Sequence, residues 1–274
     1  MTVSIIIPTY NEAPLLGAAL DRLRRLQPAP DLVVADGGSG DGSADIAAAG
    51  GARLVRCQRR GRAFQMNAGA TAAEGATLLF LHADLELSQA AWDALRCALE
   101  DPRVVGGAFR RFFRSPSLVL RVGAHLASWR SRWWGLYFGD QAIFVRRPIF
   151  DQLGGFPDIL LFEDLEFSRA LRRAGRSILI DEPIFASSRR FEREGALRRL
   201  WANWLLTGRY LLGQHPDELA RLYYPEHFQA RDRAHQVETH PLSLQAPRVP
   251  TLSVQAPQVR SERETPVQPG RRGS

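Results

Sequence analysis

Short apolar runs alternate with amphipathic stretches from Val3 to Ile180. Residues 3–7 are mostly β-branched and end at Pro8, which predicts a buried first strand. Residues 14–26 set Leu15, Leu16, Leu20 and Leu23 at helical spacing. Residues 32–35 predict a second strand, running into the Gly-rich octet Asp36 to Ser43 and a helix over 43–49. A short third strand follows at 54–55, then a loop and helix over 61–74. Residues 77–81 are apolar without alternation, as in a strand covered on both faces. Beyond them the pattern predicts a helix at 87–99 with Trp92 inward, a strand at 142–145 and a helix closing at Gly154-Gly155-Phe156. A helix through Arg173, a strand at 178–180 and an amphipathic helix over about 196–212 complete the pattern. Strands alternating with helices predict an α/β fold with a mostly parallel sheet.

From about Glu226 the chain changes character. The last 49 residues hold six of the 17 prolines and one aromatic, Phe228. Such a stretch buries too little apolar area to offset its chain entropy, so 1–225 reads as one domain and 226–274 as a disordered tail. No signal peptide and no apolar run of about 18 residues is present, which predicts a cytoplasmic protein without a membrane span. Cys57 and Cys97 have no metal-ligand spacing, and a reducing compartment suits them.

The net charge of +7 comes without a single lysine, and its distribution is uneven. Residues 103–147 hold nine arginines against one acid, Asp140, together with Trp129, Trp133 and Trp134. A charge run is ordinarily a solvated face. Arginine and tryptophan over an apolar background fit an interfacial helix on anionic lipid better, and no nucleic-acid motif accompanies them.

The residues with chemistry fall at predicted strand ends, where open α/β sheets bind ligands. His82 and Asp84, two apart after the strand at 77–81, are placed to reach one metal ion or a phosphate-bound cation. Asp36 ends the second strand, where it can accept from ring and ribose donors of a nucleoside, and the glycines after it allow close backbone approach. The octet lacks the dinucleotide fingerprint, and no P-loop is present. Asp164, in the acidic first turn of a helix, fits a general base.

In this order the motifs resemble family 2 glycosyltransferases of the GT-A fold, over residues 3 to about 213. Pro8-Thr9-Tyr10-Asn11-Glu12 resembles the family's first nucleotide-contacting loop, and Asp36 to Ser43 its Asp-Asp-Gly-Ser element. Gly61-Arg62-Ala63 and Asn67-Ala68-Gly69 resemble the segment along the sugar nucleotide, and His82-Ala83-Asp84 stands at Asp-x-Asp. Gly154-Gly155-Phe156 and Glu163-Asp164 resemble the acceptor-side helix, and Arg190-Phe191 the Arg-Trp end of Gln-x-x-Arg-Trp. His82 replaces an acid, which favours a transition metal, and Gly37 replaces another. Ser187 and Phe191 replace the glutamine and tryptophan of processive members, which argues for a single transfer.

The resemblance implies a mixed, mostly parallel sheet flanked by helices and an inverting, metal-dependent transfer of one sugar. The donor is a nucleoside-diphosphate sugar, and the acceptor a hydroxyl that is lipid-linked or anionic. Pro8, Thr9, Glu12, Asp36, Gly37, Arg62, Asn67 and Ala83 would line the nucleotide sugar. Asp84 and His82 would hold Mg2+ or Mn2+, Asp164 would take the acceptor proton, and Asp140, Gln141, Glu163 and Arg190 would contact acceptor or diphosphate. Residues 110–134 would form the acceptor entrance and touch the membrane periphery. A nucleotidyltransferase and a non-catalytic sugar-nucleotide-binding protein are the competing readings.

Overall fold

The computed structural model describes residues 2–188, 191 and 195–223. The proposed tail and Arg190 lie outside the described residues. The elements are β1 (Val3–Thr9), α1 (Ala13–Arg24), β2 (Asp31–Asp36), α2 (Ser43–Ala49), β3 (Arg53–Arg56) and α3 (Arg62–Ala72). Next come β4 (Thr77–Phe80), β5 (Leu85–Glu86), α4 (Gln89–Ala98), β6 (Val104–Phe113) and α5 (Leu118–Trp134). A 3-10 turn (Gly139–Gln141), β7 (Phe144–Arg146), α6 (Arg147–Leu153), α7 (Glu163–Ala174) and β8 (Arg176–Ala186) follow. Two C-terminal helices, α8 (Ala196–Leu211) and α9 (Pro216–Tyr223), end the described chain.

One eight-stranded sheet runs in the order β3-β2-β1-β4-β7-β6-β8-β5. The β3, β2, β1 and β4 strands are parallel neighbours, whereas β7 is antiparallel to both β4 and β6. Successive residues of β1 feed opposite layers, as a period of two demands. Ile5 and Ile7 join Leu16, Leu20, Trp92 and Leu95 on one face. Ile6 joins Met66, Ala70, Phe150 and Phe167 on the other. All three isoleucines are fully buried, each worth about 2 kcal/mol of apolar transfer. Helices α1, α4 and α5 cover one face and α3, α6 and α7 the other.

Three differences from the sequence reading bear on function. The stretch 110–134, read as an Arg/Trp entrance, opens within the ten-residue strand β6, whose paired glycines and arginines hide its alternation. The β8 strand spans 11 residues and includes Pro183. The extra helix α9 packs Leu219 and Ala220 into a small cluster with Leu161, Phe162 and Leu165.

Candidate functional site

The register sets the site. Thr9 pairs with Asp36, and Ile6 pairs with Phe80, so the C-terminal ends of β1, β2 and β4 open on one edge of the sheet. Loops from these ends carry Glu12, Gly37 and Asp84, while the 3-10 turn brings Asp140 and Gln141 and the start of α7 brings Glu163 and Asp164.

At the β1–β2 end the loops are laced together. Asp36 is buried and accepts from the backbone N–H of Gly38 and of Ser39, both at 3.1 Å. Asn11 N–H donates to Ser39 Oγ, and Glu12 N–H to Ser43 Oγ, each at 2.9 Å. Gln65, on the buried face of α3, joins this end to the helix. Its Nε2 donates to Thr9 O at 2.7 Å and to Ala35 O at 3.0 Å, and its Oε1 accepts from Gly61 N–H at 3.4 Å. A side chain at Gly37, where the resemblance has an acid, would meet the Gln65 carboxamide at 2.9 Å and require it to shift. Gln65 went unnoticed in the sequence. Its signal was a single amide among Ala63, Met66 and Ala70 on an otherwise apolar helix face.

At the end of β4 the strand stops at Phe80 and does not stay extended through Asp84. Residues 83 and 84 form a turn closed by Leu85 N–H on His82 O at 3.0 Å, because Ala83 is anchored in the core. Asp84 is exposed and borders a cavity of about 330 Å3 with Ala83, Glu86, Arg114 and Ser187. The His82 imidazole faces the 3-10 turn. A methyl group on Gly139 would stand 3.0 Å from His82 Nε2 and 3.3 Å from Asp164 Oδ2. His82 and Asp164, far apart along the chain, therefore both border Gly139.

Asp164 is 6% exposed. It accepts from Gly139 N–H at 2.5 Å and from Leu165 N–H at 2.7 Å. Burial raises its pKa above the ordinary carboxylate value, against the opposing pull of Arg62 and these two donors. Its neighbour Glu163 is 2% exposed and is pushed up to about 7, first by burial, while Arg62 Nη1 at 3.4 Å from Oε1 opposes the rise. Phe162, just before them, has φ +70°, a costly conformation for a bulky residue. It is held by stacking on Tyr210 of α8, with centroids 4.4 Å apart, and Tyr210 Oη donates to Glu166 Oε1 at 2.7 Å. Among the described residues the other non-glycine positive φ values fall at Asn11 and Ala142, each beside a candidate residue.

Beyond Gly139 lies a charged cluster. Arg111 of β6, 8% exposed, is ion-paired with half-exposed Asp140. Arg130 of α5 lies over the Phe138 ring at 4.2 Å and is electrostatically coupled to Asp140, Arg111 and Asp164. Burial lowers the Arg130 pKa. Two candidates serve as supports. Gln141 is buried, its Oε1 accepting from Ser131 Oγ at 2.9 Å and Phe138 N–H at 3.2 Å. The Asn67 amide brackets Phe156, donating to its O at 2.8 Å and accepting from its N–H at 2.9 Å.

Among the described residues no group of three or more His, Cys, Asp or Glu side chains could hold a metal by itself. His82 and Asp84 supply one imidazole and one exposed carboxylate, donor types that a divalent cation takes, but the turn at residues 83 and 84 sends His82 toward Gly139 and Asp84 toward the cavity at Arg114 and Ser187.

The exposed side of α5 shows Leu118, Val122, Leu126, Trp129 and Trp133, and that of α8 shows Leu197, Trp201, Trp204 and Leu205. The two helices touch where Leu200 meets Gly123, and neither carries an acidic residue. Among the described residues no helix is long and apolar enough to cross a membrane.

Several known proteins share this layout. The PGL/p-HBAD biosynthesis glycosyltransferases of Mycobacterium tuberculosis and Mycobacterium bovis are 36% identical to the chain over 171 residues. That match covers 56% of this chain, and the chain spans only 62% of those relatives' length. Among solved structures, the mannosyltransferase PcManGT of Pyrobaculum calidifontis, in complex with GDP-Man and Mn2+, superposes with TM-score 0.58 at 22% identity. That superposition covers 88% of this chain and 76% of PcManGT. S. aureus TarS in complex with UDP-GlcNAc gives TM-score 0.54 at 15% identity, covering 68% of this chain and 58% of that one. The model of glycosyl transferase family 2 matches residues 4–156, more than half of the chain, and the protein belongs to that family.

Proposed function

We propose that the protein transfers one sugar from a nucleoside-diphosphate sugar to an alcohol, with inversion, using Asp164 as the general base. The observation that carries this reading is the buried Asp164 carboxylate, fixed by the backbone N–H groups of Leu165 and of Gly139, the residue that His82 also borders. A carboxylate whose pKa is raised is a stronger base once ionised, and its two donors aim it before the acceptor arrives. Asp36 and the loop at Glu12 hold base and ribose, with Gln65 and the fully buried Thr9 keeping that edge in shape. Arg62 offsets diphosphate charge from the α3 side. Asp84 would hold the divalent cation, Mg2+ or Mn2+, which neutralises the departing diphosphate as a Lewis acid when bound. The Mn2+ in the PcManGT complex and the sugar nucleotides bound by PcManGT and TarS support this assignment. The acceptor proton goes to Asp164 as the oxygen attacks the anomeric carbon opposite the leaving group.

The donor half of the proposal is tested with a panel of sugar nucleotides in the presence of Mg2+ or Mn2+. Slow donor hydrolysis releasing nucleoside diphosphate, lost in Asp84→Ala, is the expected result. Release of pyrophosphate would favour a nucleotidyltransferase, and binding without turnover a sugar-nucleotide-binding protein.

The α5–α8 face supports a second element, contact with an anionic lipid surface. Its tryptophans stand more than half exposed, and arginines flank them with no acid on either helix. Sedimentation with anionic vesicles at low salt is expected to carry the protein down, and failure to do so removes this element.

A further inference from the structure

The helix that carries Asp164 begins where its own sequence gives it no cap. The residue before its first turn is Phe162, in the left-handed region at φ +70°, and no side-chain hydrogen bond closes that end. Serine, threonine, aspartate or asparagine ordinarily fills the position, and a bulky residue at positive φ is strained. The start of α7 is therefore held by contacts from elsewhere in the fold.

Tyr210 of α8 reaches this turn at both of its ends. Its ring stacks on Phe162 with centroids 4.4 Å apart and planes 20° apart, and its Oη donates to Glu166 Oε1 at 2.7 Å. Glu166 N–H in turn donates to Phe162 O at 3.0 Å. Glu163, Asp164 and Leu165 lie between the two points that Tyr210 touches. Leu219 and Ala220 of α9, both fully buried, close on Leu161, Phe162 and Leu165. The Asp164 carboxylate must also meet Gly139 N–H, a donor on a different element, at 2.5 Å. Its aim depends on where the turn sits, and a displacement of about 1 Å at a reacting group can lower a rate about 100-fold. We propose that Tyr210 is a positioning residue for the transfer, holding residue 162 at positive φ and so keeping Asp164 on the acceptor hydroxyl. It acts through Phe162 and Glu166. This inference rests on the transferase reading, in which Asp164 is the base, and the experiment separates the two.

Donor hydrolysis by the full chain reads the positioning, using a panel that includes GDP-mannose and UDP-N-acetylglucosamine with Mn2+. Water then stands in for the acceptor alcohol: its oxygen attacks the anomeric carbon, its proton goes to Asp164, and the nucleoside diphosphate leaves. Tyr210→Ala is expected to lower kcat by about 10- to 100-fold while KM for the sugar nucleotide stays within about twofold. Tyr210→Phe keeps the ring stack, and Glu166 keeps its ion pair with Arg169, so kcat is expected to stay within about threefold. Phe162→Gly takes up positive φ without help from a ring. In that background Tyr210→Ala is expected to lower kcat by less than about threefold, a non-additivity that a residue acting elsewhere would not show. Hydrogen exchange gives a readout without turnover. In Tyr210→Ala the amides of Leu165 and Glu166 are expected to exchange about 10-fold faster or more, while those of Ile5, Ile6 and Ile7 keep the parent rate. A higher KM at unchanged kcat would assign Tyr210 to donor binding and overturns the proposal. Equal losses from Tyr210→Ala in both backgrounds, or unchanged exchange at Leu165 and Glu166, overturn it as well. Faster exchange in β1 along with α7 would make Tyr210 a general support of the fold and likewise overturns it. Faster exchange confined to α7 with unaltered kcat overturns the positioning role and leaves the transferase reading standing. If the parent hydrolyses no member of the panel, the transferase reading fails and the positioning role falls with it.

Discussion

Replacing Glu163 by Gln tests whether the buried acidic pair governs the pH dependence of this fold. Glu163 is pushed up to about 7 from its ordinary value of 4.5. Below about pH 4.5 the group is neutral folded and unfolded, and its full stabilising contribution is present. Between there and about pH 7 the unfolded chain releases the proton while the folded chain keeps it, so stability falls as pH rises. At about 1.36 kcal/mol per unit the whole effect is about 3 kcal/mol. Glutamine keeps the shape and cannot ionise, so it abolishes this slope. The Arg62 ion pair is lost as well, but Arg62 is 38% exposed and stays hydrated, so that loss is small. Urea unfolding of both proteins at pH 5 and pH 8 reads the difference. Relative to the parent, Glu163→Gln should gain about 2–3 kcal/mol of stability between the two pH values. Parallel stability curves, with the same gap between the two proteins at both pH values, would refute the reasoning. The Asp164 carboxylate remains in both proteins, but its charge is one of the causes that raise Glu163, so the difference reads the acidic pair together.

Other consequences concern the chemistry and the edge that supports it. Asp164→Asn should lower transfer about 10²–10⁴-fold in kcat while sugar-nucleotide affinity stays within a few-fold, as read by single-turnover and equilibrium binding assays. In the parent, the acid limb of the kcat profile should lie above the ordinary Asp range, because burial raises Asp164. Gln65→Leu leaves Thr9 O and Ala35 O without this donor and should cost about 2–4 kcal/mol in chemical denaturation, with weaker nucleoside-diphosphate binding. Trp201→Ser with Trp204→Ser should reduce partition onto anionic vesicles by about 100-fold, roughly 10-fold for each tryptophan, without changing donor hydrolysis in solution.

The comparison of pattern with fold has a physical logic. The parallel strands β1, β2 and β4 were legible because buried strands need unbroken apolar runs, and β2 ends at Asp36 as turn chemistry predicts, whereas β1 runs through Pro8 to Thr9 and β3 is a short edge strand flanked by exposed arginines. β6 was not legible, because Gly106, Gly107, Arg110 and Arg111 interrupt its apolar signal while its neighbours β7 and β8 supply the pairing. A strand in that position is stabilised by partners distant in the chain, and local composition does not report them.

By itself the amino-acid sequence determined the family, the α/β class and which residue types stand at the strand ends. These follow from short-range periodicity and from motif order along the chain. Only the tertiary structure decided what those residues do to one another. Gly139 leaves room for both His82 and Asp164, Gln65 crowds Gly37, Tyr210 holds Phe162 in its costly conformation, and burial shifts Glu163 and Asp164. Burial and electrostatic coupling depend on every element packed around a group, and that surrounding exists only after the chain has folded.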